Sequence, residues 1–399
     1  MKIAVTSSGH IPSQHAHSIN VVKHANAFVK LGYNVELLSV KRFYENKFIE
    51  EIADIFDFYG VDNLPITFFK DKSIFYFQEK KIYKILIKIL KKFLPKKIIE
   101  ISDPEKKISH YIKGNNFDLC YSRSFKMTKY NIENKIPTIM ETHSSVPEKK
   151  RDLMEVLKLS KSEYFKGIVT IHQKLKNNFV RLGVPEKKVL IQEDAVDLEI
   201  FDQISDDTEK NKNNLHISIK KKIVMYCGSL KPGKGINLIL QTAKKLELNS
   251  DILFYIVGGS KAEVNFWKNY NNQSFRNVVF TGFIHGSQIP QFLKSADILF
   301  MPYDKNEKNK VMDINTTSPI KLFEYMASKK PILTSKIQVI EKILEDKESA
   351  IILENNYEKG IEELLSNKKL CQKISENAYA QSKNYTYKKR CEKILDALF

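Results

Sequence analysis

Cysteine is scarce: Cys120, Cys227, Cys371 and Cys391 are scattered through 399 residues with no C-x-x-C spacing. That excludes a disulfide scaffold and a zinc ribbon, and reads as buried, reduced thiols in a cytoplasmic protein. No run of about 18 uncharged apolar residues occurs, so no transmembrane helix is expected. The first ten residues are too short and polar for a signal peptide and read as a first strand. Carboxylates are also in deficit. With 47 Asp and Glu against 65 Lys and Arg, the net charge is +18 and the pI about 9.4. Such an excess asks for an anionic partner: nucleic acid, anionic lipid or a phosphate-rich substrate. No nucleic-acid motif is present and the aromatics are not interleaved with a basic strip, so no nucleic acid is expected. No cluster of carboxylates, His or Cys implies a metal. The first βα turn, Ser7-Ser8-Gly9-His10-Ile11-Pro12-Ser13, lacks G-x-G-x-x-G, which disfavours a dinucleotide-binding fold.

What is present is alternation. The length favours two domains. Strand patterns at 3–7, 35–40, 65–69, 117–121, 137–142, 167–171 and 189–192 are separated by helical stretches such as 18–31 and 173–182, closed by Gly32 and Gly183. A polar, charged stretch at 205–214 reads as the interdomain linker. A second series then follows: strands at 222–227, 252–257, 278–282, 298–301, 331–335 and 350–353, with helices between. This is the pattern of parallel sheets wrapped by helices, an α/β protein of two Rossmann-like domains facing a central cleft. The expected division is 1–204, 205–383, and a terminal helix at 384–399 packing back on the first domain.

Two stretches of the second half suggest chemistry. In Thr316-Thr317-Ser318-Pro319-Ile320-Lys321-Leu322-Phe323-Glu324-Tyr325-Met326-Ala327, Ser318 can N-cap a helix and Pro319 suits its first position. Lys321 in the first turn is unfavourable by roughly 0.3–1 kcal/mol against the helix dipole. An anion on the helix N-terminus would make sense of it; a surface ion pair between Lys321 and Glu324 is the other reading. The second stretch, Cys227-Gly228-Ser229-Leu230-Lys231-Pro232-Gly233-Lys234-Gly235, follows a strand and precedes a helix. Its glycines permit close backbone approach and Lys234 stands where phosphate is welcome, although it is not a Walker A. A Gly/Pro-rich turn with exposed lysines is the plain alternative. Gly258-Gly259 falls at the next strand's C-terminal end, where ligands bind in such sheets.

Taken in order, these residues resemble glycosyltransferase family 4, retaining nucleotide-sugar transferases of GT-B fold. Gly228 to Gly235 is similar to the family's Arg…Lys loop, and Val257-Gly258-Gly259 to its second glycine turn. Val279 to Ile284 and Ser295 to Pro302 resemble its base-pocket and acceptor-side strands, and 318–331 its E-x7-E segment, in the branch carrying S-P-x-K-x-x-E-Y-M-A. Leu182-Gly183-Val184-Pro185 through Asp197 resembles the run into the linker. Two positions depart: Thr316 stands for the first glutamate, and Ser229 for the phosphate-binding arginine.

The resemblance implies a metal-independent, hexosyltransferase-like enzyme with no cofactor, a nucleotide-diphosphate sugar as donor and a saccharide or lipid-linked acceptor, in cell-surface polysaccharide or glycolipid synthesis. Lys234, Lys321 and the N–H groups at Ile320 and Lys321 would neutralise the leaving diphosphate, Glu324 would hold the ribose, and Asp313 or Thr316 would serve the sugar. His143, after the strand ending Glu141-Thr142, matches the family's cleft histidine, with Gly9 and His10 facing the diphosphate. His15 and His17 stand as acceptor contacts or helix caps. Between Lys80 and Lys97, lysines at 80/81, 84, 88 and 91/92 share one helical face with Ile and Leu opposite. That pattern fits an interfacial helix on the inner face of the membrane, or a solvated helix packed on the first domain. The competing functional reading is a non-catalytic basic membrane-surface or nucleic-acid binder on the same scaffold.

Overall fold

The computed structural model describes residues 1–7, 11–13, 15–41, 54–70, 103–143, 150–270, 274–304 and 320–399. Gly9, His10, the basic stretch at 80–97, and Asp313, Thr316, Ser318 and Pro319 lie outside the described residues. The chain forms two compact units. Unit 1 is Met1–Gln192 with Arg390–Phe399, and unit 2 is Glu193–Lys389.

Unit 1 is built on seven strands: β1 Lys2–Ser7, β2 Asn34–Lys41, β3 Ile66–Lys70, β4 Leu119–Ser122, β5 Thr138–Glu141, β6 Phe165–Thr170 and β7 Val189–Ile191. Every pairing is parallel, in the order β3-β2-β1-β4-β5-β6-β7. Helices cover both faces of such a sheet, so β1 and β4 are nearly continuous buried runs rather than alternating ones. Helix α1, Ala16–Lys30, buries Val21, Val22, Ala25 and Phe28 against the sheet.

Unit 2 repeats the scheme with β8 Lys222–Cys227, β9 Ile252–Val257, β10 Val278–Gly282, β11 Ile298–Met301, β12 Ile332–Ser335 and β13 Ile351–Leu353. They are again parallel, in the order β10-β9-β8-β11-β12-β13. Helix α2, Ile236–Lys245, follows the glycine loop, and α3, Ile320–Ala327, buries Leu322, Phe323, Met326 and Ala327 on the apolar face its spacing predicts. The two sheets are thus Rossmann-like α/β domains.

The polar stretch at 205–214 is largely helix, Thr208–Asn214, and lies within unit 2. Asp207 caps it by accepting from Glu209 N and Lys210 N, while Lys212 buries its stem to donate to Asp297 Oδ2 at 2.6 Å. Polarity marked this segment as linker because the sequence does not show that its lysine has a distant carboxylate to meet. The last helix, α4 Tyr387–Leu398, belongs to unit 1 from Arg390 onward and buries Cys391, Ile394 and Leu398. Its fit on the sheet is close: a Cβ added to Gly167 in β6 would stand 2.7 Å from Leu398 Cδ2.

The strand orders position the sites. In each sheet the chain reverses its direction of growth once, between β1 and β4 in unit 1 and between β8 and β11 in unit 2. At such switch points the connecting loops diverge beyond the strands' C-terminal ends and leave a crevice.

Candidate functional site

At the switch point of unit 2, β8 ends at Cys227 and runs into the loop bearing Gly228, Ser229 and Lys234. The glycines answer to close backbone contacts. Gly258, at φ +114°, follows β9, and a Cβ there would lie 2.3 Å from the Gly228 carbonyl oxygen. Gly235, at φ +72°, starts α2, and a Cβ there would lie 2.5 Å from the Pro302 carbonyl oxygen beyond β11. Side chains tie the loops as well. The Tyr226 hydroxyl donates to Ser229 O at 2.7 Å, Trp267 Nε1 donates to Leu230 O at 2.8 Å, and Asn237 Nδ2 donates to Asp304 Oδ2 at 2.6 Å.

Lys321, in the first turn of α3, points into this crevice. Its Nζ donates to the Tyr226 hydroxyl at 3.0 Å, and stands 4.2 Å from the centre of that ring and 5.0 Å from that of Tyr303. Lys234 reaches the same Tyr303 ring, its Nζ 5.8 Å from the centre. Both lysines are partly buried. Among the described residues neither forms an ion pair, so Lys321 and Glu324 are not the surface pair that their spacing allowed. Burial pushes both ammonium groups below the usual lysine range; Lys234 adds to the effect on Lys321, and Lys231 to that on Lys234. Glu324 offsets only part of the effect on Lys321, and the two desolvated cations share one aromatic wall.

Ile320 opens α3, with its first-turn N–H groups at the same end as Lys321. Glu324 lies one turn on, partly exposed, and Ser229 is exposed on the loop. Gly228, Ser229, Lys234, Gly258, Ile320, Lys321 and Glu324 therefore belong to one unit and one end of its sheet.

Unit 1 carries a different chemistry at its switch point. His143, just past β5, sets Nε2 2.6 Å from Glu141 Oε1. Glu141 is wholly buried, yet it meets the Tyr121 hydroxyl, Arg390 Nη1 at 3.1 Å and Arg123 Nε at 3.8 Å. Burial opposes its ionisation, but Arg390 and its other partners win and hold its carboxyl well below the usual range. Beside it, His24 is buried and its pKa is lowered to about 3, by burial first and Arg390 second. His17 in the first turn of α1 meets Ser7 Oγ at 2.8 Å through Nε2, and burial, then Arg123, lower it to about 4. His15 occupies the N-cap position of α1 without a side-chain cap bond.

Sequence reasoning reached His143 but missed Glu141, Arg390, His24 and Tyr121, which fix its surroundings. A glutamate closing an otherwise apolar strand was the one local signal available.

Among the described residues no group of three His, Cys, Asp or Glu side chains is placed to hold a metal ion, and no helix is long and apolar enough to cross a membrane. The four cysteines are free thiols.

Comparison with known proteins places these two sites in context. Residues 207–381, within unit 2, match the family model described as Glycosyl transferases group 1. The chain is 24% identical over 187 residues to an alpha-D-kanosaminyltransferase of Streptomyces kanamyceticus, covering 44% of this chain and 46% of that protein. It is 23% identical over 186 residues to a processive diacylglycerol alpha-glucosyltransferase of Acholeplasma laidlawii, covering 46% of this chain and 53% of the other. The chain thus spans between about a third and a half of the length of the curated relatives it matches. In three dimensions the likeness runs the length of the chain. The Anabaena protein Alr3699/HepE, solved with UDP-glucose, superposes over 100% of this chain and 99% of its own with a TM-score of 0.68 at 13% identity. The fold is GT-B, and residues 207–381 of its second unit are similar to the group 1 glycosyl transferases.

Proposed function

We propose that this protein is a retaining glycosyltransferase that moves a sugar from a nucleotide-diphosphate sugar to a saccharide or lipid-linked acceptor in cell-surface polysaccharide or glycolipid synthesis. The observation that carries the reading is the pair Lys234 and Lys321, drawn to one tyrosine ring and forming no ion pair among the described residues. A diphosphate would supply the counter-charge that Glu324 provides only in part.

In the transfer, the bond from the anomeric carbon to the β-phosphate oxygen breaks and a bond to the acceptor oxygen forms. The acceptor proton leaves on the departing phosphate oxygen, so configuration is kept. Charge builds on the diphosphate as the sugar becomes oxocarbenium-like. Lys234, Lys321 and the N–H groups at the start of α3 are aimed at that charge, and stabilising it is the main way such a site can speed the reaction. Their charge can do a metal ion's work, so EDTA is expected to leave the rate unchanged. Glu324, one turn along α3, accepts from the ribose hydroxyls. Asp313 and Thr316 remain the candidates for the sugar, with Gly9 and His10 beside the diphosphate. In unit 1, His143 belongs to the acceptor-side site, where it hydrogen-bonds a sugar hydroxyl.

UDP and GDP test this directly. One of them, at about 100 times its Kd, is expected to stabilise the protein by about 2.7 kcal/mol, visible as a rise in Tm. If neither shifts Tm and no donor sugar is hydrolysed, the transferase reading fails and the basic binder takes its place.

The lysine face at 80–97 supports action on a lipid-linked acceptor at the inner face of the membrane. Replacing Lys84, Lys88 and Lys91 by Glu is expected to abolish binding to vesicles containing anionic lipid. Unchanged binding would remove the membrane from the proposal.

A further inference from the structure

The cluster behind His143 is more elaborate than holding a sheet together requires. Glu141 and Arg390 are both buried, 2% and 3% exposed, and 249 positions apart in the chain. Arg390 comes from α4, and its Nη1 reaches Glu141 Oε2 at 3.1 Å, the Tyr121 hydroxyl at 3.2 Å and His24 Nε2. Its Nη2 donates to Gln192 O at 3.2 Å. His24 sets Nδ1 2.7 Å from the Asn20 carbonyl, which can only accept. The proton is therefore on Nδ1, and Nε2 is the acceptor that the guanidinium meets. The ring stacks on Tyr121 with centroids 5.4 Å apart. Each contact fixes the orientation of the guanidinium fork, and the fork fixes one oxygen of Glu141.

The other oxygen of Glu141 faces His143 Nε2 at 2.6 Å. The side chains of Glu141 and His24 are fully buried, and those of Arg390 and Arg123 are 2% and 6% exposed, whereas that of His143 is 22% exposed. Among these groups, His143 is where the cluster reaches solvent. A carboxylate only accepts, so it holds the proton on Nε2 and leaves Nδ1 as the ring's acceptor.

We propose that Arg390 is a positioning residue. By anchoring Glu141 it fixes the ring and tautomer of His143, so that the last helix of the chain sets the hydrogen-bonding face of the unit 1 site. The tautomer is a property of the fold alone; what it serves rests on the transferase reading above. A carboxylate behind a histidine that handles substrate is a common way of locking imidazole orientation. Here an arginine stands behind the carboxylate in turn, supplied by a helix distant in sequence.

The test separates position from stability and from function. His143 is followed by long-range proton–nitrogen NMR of the full chain, its signals identified by their loss in His143→Gln. The native protein is expected to show protonated Nε2 and unprotonated Nδ1. Arg390→Lys, which keeps the charge, is expected to retain that pattern. Arg390→Met is expected to lose the single tautomer, with kcat for sugar transfer down roughly 10- to 100-fold and KM changed little. Because Arg390→Met leaves a buried carboxylate without its guanidinium, Arg123→Met with Glu141→Leu and Arg390→Met removes the buried charges that meet at Glu141 together. This triple variant is expected to be stable yet to show mixed His143 tautomers and a low kcat. Retention of the native tautomer in Arg390→Met, or native kcat in the triple variant, would reduce Arg390 to a structural pair and overturn the proposal. If the tautomers change as expected while the native protein transfers no sugar, the positioning stands and the transferase reading fails.

Discussion

The two switch points invert each other's electrostatics. In unit 1, Glu141 is buried deeply but surrounded by Arg390, Arg123, His143 and Tyr121, so its charge is answered from within the fold. In unit 2, Lys321 and Lys234 share the Tyr303 ring and repel each other, and among the described residues no carboxylate pairs with either. Charge in unit 1 is met by ion pairs within the fold, whereas the lysines of unit 2 are met by tyrosines and only in part by Glu324. Under the proposed function, the difference separates a site that positions a group from a site that binds one.

The comparison breaks most readily by removing one charge at each place. Glu141→Ala strands Arg390 and Arg123 and is expected to destabilise unit 1 by about 3–5 kcal/mol, measured by urea denaturation. Lys321→Met takes a desolvated cation from a place where it forms no ion pair among the described residues, so the ligand-free protein is expected to be at least as stable as the native one. Its loss is expected in function instead: about 10²–10³-fold in kcat and disappearance of the Tm rise with nucleotide diphosphate. If Lys321→Met unfolds the protein while Glu141→Ala leaves it intact, the assignment of scaffold and binding roles is reversed.

A smaller effect tests whether unit 2's crevice is shaped by backbone contact. Gly258→Ala forces an alanine to φ +114° and drives its Cβ to 2.3 Å from Gly228 O. A cost of about 1–3 kcal/mol is expected, together with weaker nucleotide binding, since Gly228 and the Lys234 loop must shift. Unchanged binding by calorimetry would mean that the loop does not touch the ligand.

How much of this could be read from sequence follows from the range of the interactions. The strands of both sheets are short apolar runs between turn residues, and α3 announces itself by Leu322, Phe323, Met326 and Ala327; those are local patterns. Lys321 was legible for a similar reason, as a cation at the wrong end of a helix. Arg390 was not, because nothing near it in the chain explains it, and its partners His24, Tyr121, Glu141 and Gln192 lie in four separate elements or loops. One trace existed. The chain has six arginines among 65 cationic residues, and two of them converge on Glu141. Where lysine is the default cation, an arginine marks a place that needs a rigid, many-toothed donor. The helix at Thr208–Asn214 was misread on the same account, its buried Lys212 depending on Asp297 in another part of the fold.

The last and smallest effect is the pH response, in which the two units should differ in window. His24 is lowered to about 3 and His17 to about 4, against 6.5 in an unfolded chain. Below pH 6.5 the unfolded state takes up protons that the folded state refuses, so unit 1 loses stability as pH falls. For His24 the loss is about 1 kcal/mol one pH unit below its unfolded value. Lys321 and Lys234 in unit 2 are also lowered, and Lys330 falls to about 8. These penalties are relieved as pH rises toward the unfolded lysine value, so unit 2 gains stability between about pH 8 and 10, before its buried tyrosines begin to ionise on unfolding. The protein carries its own reporter, since its one tryptophan, Trp267, is buried in unit 2 with Nε1 on Leu230 O at the glycine loop. Urea midpoints from Trp267 fluorescence should hold steady from pH 6.5 to 5.5 while far-UV circular dichroism shows an earlier transition, and should rise on the alkaline side. A saturating nucleotide diphosphate should flatten that alkaline rise, because the bound anion keeps Lys321 charged. Coincident midpoints from both probes at every pH would show that the two switch points are not electrostatically distinct.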